Sequence, residues 1–451
     1  LTTDRRSSLP TLFMIKRHEL PLALLMFSYF FLVITSFWIL KPIKKALFIQ
    51  YYDEQGFVWF AWQMAAAQAE LLAKVLNMVV AFAAVVVFTW LVRRFRRQQL
   101  TFIFTGFFLV SYVAYSAIIN APGDFTVWSF YLFGDLFSTL MVATFFAFLN
   151  DSVTSEAAKR LYGLVGMGGV TGGVFGATIV RGLIDDITPA GWLWICVGLG
   201  VLILLAAAAA GRLVDTQMAA ADGAGQADPA SSQTADAATG NPAFEGAQLV
   251  WRSPYLLSIV GIVGLYEIVS TVLDFQFTST IAHYLDGPAI GAQFSTVFAI
   301  TNVVSMCVQL FLTSVIMTRL GVGVALLILP LTILTGSAGF MAVPALWVGS
   351  LLNTADNGFS YSINQSAKEA LYVPTSPDEK YKAKAFIDMF VQRFAKALAV
   401  VVSLGITTIF QDFSSLRWLS LFVLLIIAVW IVAVRYAGKH FQSITDTAER
   451  V

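Results

Sequence analysis

The sequence predicts an all-α integral membrane protein of twelve transmembrane helices arranged as two six-helix halves. Three observations carry this. The chain of 451 residues is 58% hydrophobic and only 12% charged, far outside the range of soluble domains. It divides into apolar runs of about 20 residues, the length that crosses a bilayer. Two parts of the chain also echo each other, with charge at matching places inside apolar runs. Pro21 precedes Lys41 by 20 residues, and Pro254 precedes Asp274 by 20. Asp135 lies 19 residues before Thr154-Ser155, and Asp356 lies 19 before Thr375-Ser376. A duplicated set of membrane helices with ionisable groups in corresponding positions is the pattern of a transporter.

The twelve runs are 20–40, 67–92, 100–119, 125–149, 161–183 and 191–213, then 255–282, 289–318, 320–343, 346–366, 383–410 and 416–436. Segment 214–250, rich in Ala, Gly, Ser and Asp, has almost nothing to bury and reads as a flexible cytoplasmic linker. It joins a bundle over 20–213 to one over 251–437, flanked by cytoplasmic segments 1–19 and 438–451. Six spans, a linker and six spans is the plan of the major facilitator superfamily. Lys16-Arg17, the Arg93–Arg97 run, Lys159-Arg160, Arg319, Lys368 to Lys384, Arg435 and Lys439 all fall on one side of such a bundle. By the positive-inside rule both termini are cytoplasmic and the protein is a multi-pass component of a bacterial inner membrane. No small-residue cleavage pattern follows the first apolar run, which reads as a retained span.

Composition also narrows the function. A net charge of +1 offers no basic domain for a nucleic acid. Cys196 and Cys307 sit in apolar runs and read as small core residues. The three histidines are scattered, so neither a metal cluster nor a cofactor is expected. No HExxH, Ser-His-Asp or P-loop pattern appears, so the chain reads as neither an enzyme nor an ATP-driven pump. The glycine-rich stretch from Gly163 to Ala177 lacks the third glycine of a dinucleotide fingerprint and no strand precedes it; close helix packing is its expected role. The expected partners are a small solute and the lipid bilayer, with the protein a monomer.

Charge inside the spans marks the candidate site. Asp135 lies mid-span, where an ionised carboxylate facing lipid would cost about 2.5–3.5 kcal/mol, so it faces the bundle interior. Asp356 takes the matching place in the tenth span, and the two acids are expected to face a central pathway. Glu70 and Lys74 share a helical face, followed by Asn77; they suit either a structural pair or a site. Glu267 and Asp274 are seven apart on the seventh span. Asp388, Gln392 and Lys396 form a stripe on the eleventh, with Arg393 beside it suited to bidentate phosphate or carboxylate recognition. Lys41 precedes Pro42, whose ring should break the helix and border a wet cavity. Lys44 and Lys45, beyond that break, read as snorkelling to the outer headgroups, and Lys384 as snorkelling inside.

Three stretches carry a family likeness: ILKPIKKALF (39–48), the run from Phe133 to Gly166, and KEALYVPTSPDEKYKAKAFIDMFVQRFAKA (368–397), with AELLAKVLN (69–77) beside them. Together they resemble the ATP/ADP translocase family, the nucleotide transporters of obligate intracellular bacteria and plastids. The resemblance implies a facilitator fold and nucleotide exchange across the inner membrane, with functional charges at Lys41, Asp135 and Asp274, the two acids standing where the family usually has Glu. The chain departs from the family in two places. Phe275 to Thr280 replace a lysine-bearing stretch, and Ser360 replaces another lysine.

The expected function is therefore secondary active transport of a nucleotide or other phosphorylated or anionic metabolite. Lys41, Lys74 and Arg393 would neutralise the cargo, with Asn77 and Lys396 nearby. Asp135, Asp274 and Asp356 would orient it or carry a proton, and Glu70, Glu267 and Asp388 would couple or gate. Rocking of the two halves would give alternating access. Two alternatives stand: proton-coupled transport of a zwitterionic or cationic solute, and a non-transporting scaffold or sensor of the same fold.

Overall fold

Long apolar runs with few breakers fold as long helices, because lipid leaves no other way to satisfy the backbone. The computed structural model describes residues 19–153, 155–223, 242–376, 382–410 and 412–448. The first part of the chain forms α1 (Leu20–Gln55), a hairpin of β1 (Phe57–Trp59) and β2 (Trp62–Met64), α2 (Ala66–Val92), α3 (Arg97–Ile118), α4 (Asp124–Ser152), α5 (Ser155–Leu183) and α6 (Pro189–Gly223). There follow α7 (Pro242–Arg252), α8 (Pro254–Tyr284), α9 (Pro288–Cys307), α10 (Ser314–Arg319), α11 (Val322–Ala342), α12 (Leu346–Phe359), α13 (Gln365–Leu371), α14 (Lys384–Phe386), α15 (Gln392–Ile409) and α16 (Leu416–Ala448). Of the expected linker, α6 takes up the start and α7 the end; the remainder lies outside the described residues.

Among the described residues eleven helices are long and apolar enough to cross a bilayer. The tenth expected span, 346–366, is present but interrupted: a π-helical turn at Ser360–Asn364 joins α12 to α13 without a gap. Further π turns join α9 to α10 at Val308–Thr313 and α14 to α15 at Ile387–Val391. Each inserts a widened turn that re-aims the side chains beyond it.

Two sequence expectations are corrected here. Pro42 does not end the first helix; α1 runs through it for 36 residues, so Lys41, Lys44 and Lys45 ride one continuous helix. Trp59 pairs with Trp62 across a two-residue turn whose Phe60 takes a positive φ of 55°, a strained conformation for a bulky side chain. Of the two cysteines, Cys196 is buried as expected, but Cys307 is exposed.

The chain forms two compact units. One comprises 1–45 with 79–232, the other 46–78 with 233–451. In the first, glycines let two helices touch backbone to backbone. A Cβ on Gly168, Gly172 or Gly176 of α5 would lie 2.5, 2.5 and 2.7 Å from the carbonyl oxygens of Phe27, Phe31 and Thr35 on α1. Both rows repeat every four residues, and the Thr35 hydroxyl donates to the Gly172 carbonyl at 3.2 Å. Phenylalanines fill the rest: Phe30 stacks on Phe145 at 4.5 Å and Tyr29 meets the same ring edge-on at 5.0 Å.

In the second unit α8 is the central helix, its Ile259, Val263, Val269 and Val272 lying in one core with Leu419, Val423, Ile427 and Trp430 of α16. Residues 46–78 are tied in by polar links: Gln50 donates to the Gly287 carbonyl at 2.6 Å and Gln68 to the Thr407 hydroxyl at 2.9 Å.

The glycine seam is testable. Gly172→Ala should cost about 1–3 kcal/mol through overpacking against a backbone oxygen that cannot yield. Gly166→Ala, where a Cβ would meet nothing within 4 Å, should leave the thermal midpoint of the purified protein unchanged.

Candidate functional site

The candidate site residues other than Asp388 fall in two groups, one in each unit. In the first, α1 carries Lys41, Lys44 and Lys45 along little more than one turn. Lys44 and Lys45 are each 5% exposed, so neither snorkels to a headgroup. Lys44 forms an ion pair with Asp135 of α4, donates to the Tyr131 carbonyl at 3.4 Å, and lies over the Tyr131 ring at 4.4 Å. The room for it is made by Gly134, where a Cβ would stand 2.6 Å from the Lys44 Cδ. Lys41 sets its ammonium over the rings of Trp38 at 4.4 Å and Phe37 at 5.8 Å. The midspan acid thus has its ion pair with Lys44. Lys41 and Lys45 lie on the same stretch of α1 as Lys44.

The second cluster is more acidic. Lys74 forms an ion pair with Asp274 of α8 and lies 3.9 Å from Glu70, which is 1% exposed. Asn77 follows Lys74 by about one turn on α2, half-buried. Lys396 of α15 lies 3.4 Å from Glu267. Arg393 does not present an empty fork: its Nη1 donates to the Met78 carbonyl at 3.0 Å, tying α15 to α2. Asp356 is 1% exposed; one of its oxygens accepts from the Ser270 hydroxyl at 2.8 Å. One turn on, Ser360 accepts from the Tyr266 hydroxyl at 2.5 Å, and the Tyr266 ring packs on Trp430 at 5.7 Å. Asp274 and Glu267 both lie within electrostatic reach of Asp356.

Asp388 stands apart from this cluster. It accepts from the Gln392 amide at 3.1 Å near Lys368, Lys384 and Glu369. Lys384 does not snorkel; it forms an ion pair with Glu369 at 2.5 Å.

Sequence reasoning missed Lys44, Tyr266 and Ser270. Lys44 follows Lys41 by three residues, which places both on one face once the helix continues through Pro42. Tyr266, Ser270 and Asp274 recur every four residues, a polar stripe legible along α8 without any structure.

These positions can be set beside known proteins. The profile of the TLC ATP/ADP transporter family matches residues 121–345 and 341–441. The chain belongs to the TLC ATP/ADP transporter family. It is a family of multi-pass membrane transporters, not of enzymes. The chain is 24% identical over 360 residues to ADP,ATP carrier protein 1, chloroplastic, of Arabidopsis thaliana, an alignment covering 72% of this chain and 56% of that protein. To ADP,ATP carrier protein 2 of Chlamydia trachomatis it is 23% identical over 431 residues, covering 81% of this chain and 80% of that one. In fold it is similar to a POT family transporter solved with a thioalcohol-conjugated peptide (TM-score 0.61, 12% identity, 94% and 99% of the two chains). It is also similar to the Major Facilitator Superfamily transporter FucP (TM-score 0.50, 13% identity, 94% and 99%). These likenesses agree with the facilitator fold expected from the sequence, with the count of spans close to the twelve expected.

The ion pairs make a double-mutant prediction. Lys74→Met leaves Glu70 and Asp274 unbalanced and should cost about 3 kcal/mol, the low end for a buried pair because Asp274 is 30% exposed. Lys74→Met combined with Asp274→Asn should recover a large part of that loss in thermal unfolding, since neutral partners need no counter-charge.

Proposed function

We propose that the protein moves a nucleotide, or another phosphorylated anionic metabolite, across the bacterial inner membrane by alternating access. The observation that carries this is the lysine cluster. Lys41, Lys44 and Lys45 lie inside an apolar helix, two of them are nearly buried, and Asp135 is the acid of the opposing helix. Lysines held in a low-dielectric interior are poorly hydrated, and an anionic cargo can compete there for their charge. A polyphosphate carries enough charge to draw Lys44 from Asp135, and the acid then holds the lysine in place between cargo molecules. Phe37 beside Lys41 is partly exposed and offers a flat face on which a base can stack.

The other site assignments follow from the same reading. Lys74, with Asn77 and Asp274, is a second candidate binding cluster, within the second unit, with Lys396 on α15 as its other lysine. Glu70 and Glu267 hold those lysines between cycles, and Asp388 belongs to a separate cytoplasmic-end network. The family's relatives named as ADP,ATP carriers support the nucleotide class. A second reading, proton-coupled transport of a zwitterionic or cationic solute, is favoured by the four acids of the second cluster, Glu70, Glu267, Asp274 and Asp356, against its Lys74, Arg393 and Lys396.

Uptake of labelled ATP into proteoliposomes containing the full chain tests the proposal. Lys44→Ala and Lys41→Ala should each lower uptake at least about tenfold, the loss of one charge-assisted hydrogen bond of about 1.5–3 kcal/mol. Uptake at the wild-type rate in both variants would overturn the assignment. Failure of ATP to compete with a transported amine would favour the second reading.

A further inference from the structure

Asp356 does something that cargo neutralisation does not require. Its carboxylate is 1% exposed in the middle of a helix read as spanning the bilayer. Among the described residues no lysine or arginine pairs with it. Ser270 serves one oxygen at 2.8 Å, while the other oxygen, Oδ1, is buried with no hydrogen-bond partner. Its charged surroundings come from α8 and α15. Glu267 and Asp274 on α8 act on it directly, and Lys396 on α15 reaches the neighbouring Tyr361. The Tyr266 hydroxyl, which would be the next donor, is committed to Ser360. Helices α9 and α11, which also pack on α12, carry no Asp, Glu, Lys, Arg or His.

An ionised carboxylate so placed has a single neutral hydrogen bond, two acids in reach and no counter-ion of its own. That is a costly state in a low-dielectric interior, and binding one proton removes the cost. Asp274 and Glu267 each have a lysine partner, Lys74 and Lys396. Asp356 differs from them in having none.

We propose that Asp356 is a proton-binding site, loaded and unloaded once per transport cycle, separate from the lysines that neutralise the cargo. Proton binding itself is independent of the nucleotide reading; the loading in each cycle rests on it. When a cargo anion draws Lys74 away from Asp274, the negative charge facing Asp356 increases and the proton is held more tightly. Cargo and proton then load together. The π turn that begins at Ser360, one turn beyond Asp356, lets this part of the helix shift without breaking the rest.

Infrared difference titration of the full chain in nanodiscs reads the site without any cargo. Acidification should raise the band of a protonated buried carboxyl, absent in Asp356→Asn. In Ser270→Ala, which keeps the acid but removes its donor, the band should move to higher frequency. Identical titrations of the wild type and Asp356→Asn would overturn the site. Coupling is read by ATP accumulation in proteoliposomes under an inward acid gradient. One proton per cycle predicts about a tenfold rise in accumulation per pH unit, lost in Asp356→Asn and restored in Asp356→Glu. Accumulation that ignores the gradient, or follows sodium instead, would overturn the coupling. A wild type that shows the band but takes up no ATP would overturn the nucleotide reading and the cycle that rests on it, leaving the proton site standing.

Discussion

A charge carried into the hydrocarbon layer must find a partner there, and the arrangement of polar side chains in this protein follows from that requirement. Lys44 reaches across to Asp135, Lys74 to Asp274 and Lys396 to Glu267. Each pair joins two different helices, so the same contacts that make the charges tolerable also hold the bundle's helices in register. A hydrophobic pair of equal volume would do the structural work at lower cost. That these positions hold ions instead is the physical argument that they serve cargo.

The two units solve the packing around these ions differently. In the first, α1 and α5 meet through matching rows of glycines and carbonyl oxygens, an approach that only glycine allows, and aromatic rings fill what remains. In the second, aliphatic side chains surround α8, and π turns at Val308–Thr313, Ser360–Asn364 and Ile387–Val391 give its helices local slack. Asp356 stands beside one of these turns.

Much of this was legible from the sequence, for identifiable reasons. The number and place of the spans follow from hydrophobic length alone; Asp135 and Asp356 stand out because no other charged residue interrupts their runs, and Asp274 shares its run only with Glu267. Pro42 misled because proline's local rule is to break a helix; a helix long enough, and packed on both sides of the proline, continues through it. Taking it as a break set Lys44 and Lys45 at the outer headgroups and hid the partner of Asp135. Arg393 looked like a recognition fork because sequence shows its charge but not the Met78 carbonyl that occupies it. The π turns leave no signature in composition, so the tenth span was expected to be continuous. The Trp59–Trp62 hairpin was hidden by its turn, which uses Phe60 at a positive φ where sequence rules look for glycine or asparagine.

The account depends on cationic side chains held inside the membrane being there for phosphate. The most direct measurement is the thermal stabilisation of the purified protein by adenosine, AMP, ADP and ATP at matched ionic strength. A ligand at about 100 times its dissociation constant adds about 2.7 kcal/mol, well within reach of such an assay. Stabilisation that is absent for adenosine and grows with each phosphate is the result this account predicts. Equal stabilisation by adenosine and ATP, or by amines and by no nucleotide, would contradict it.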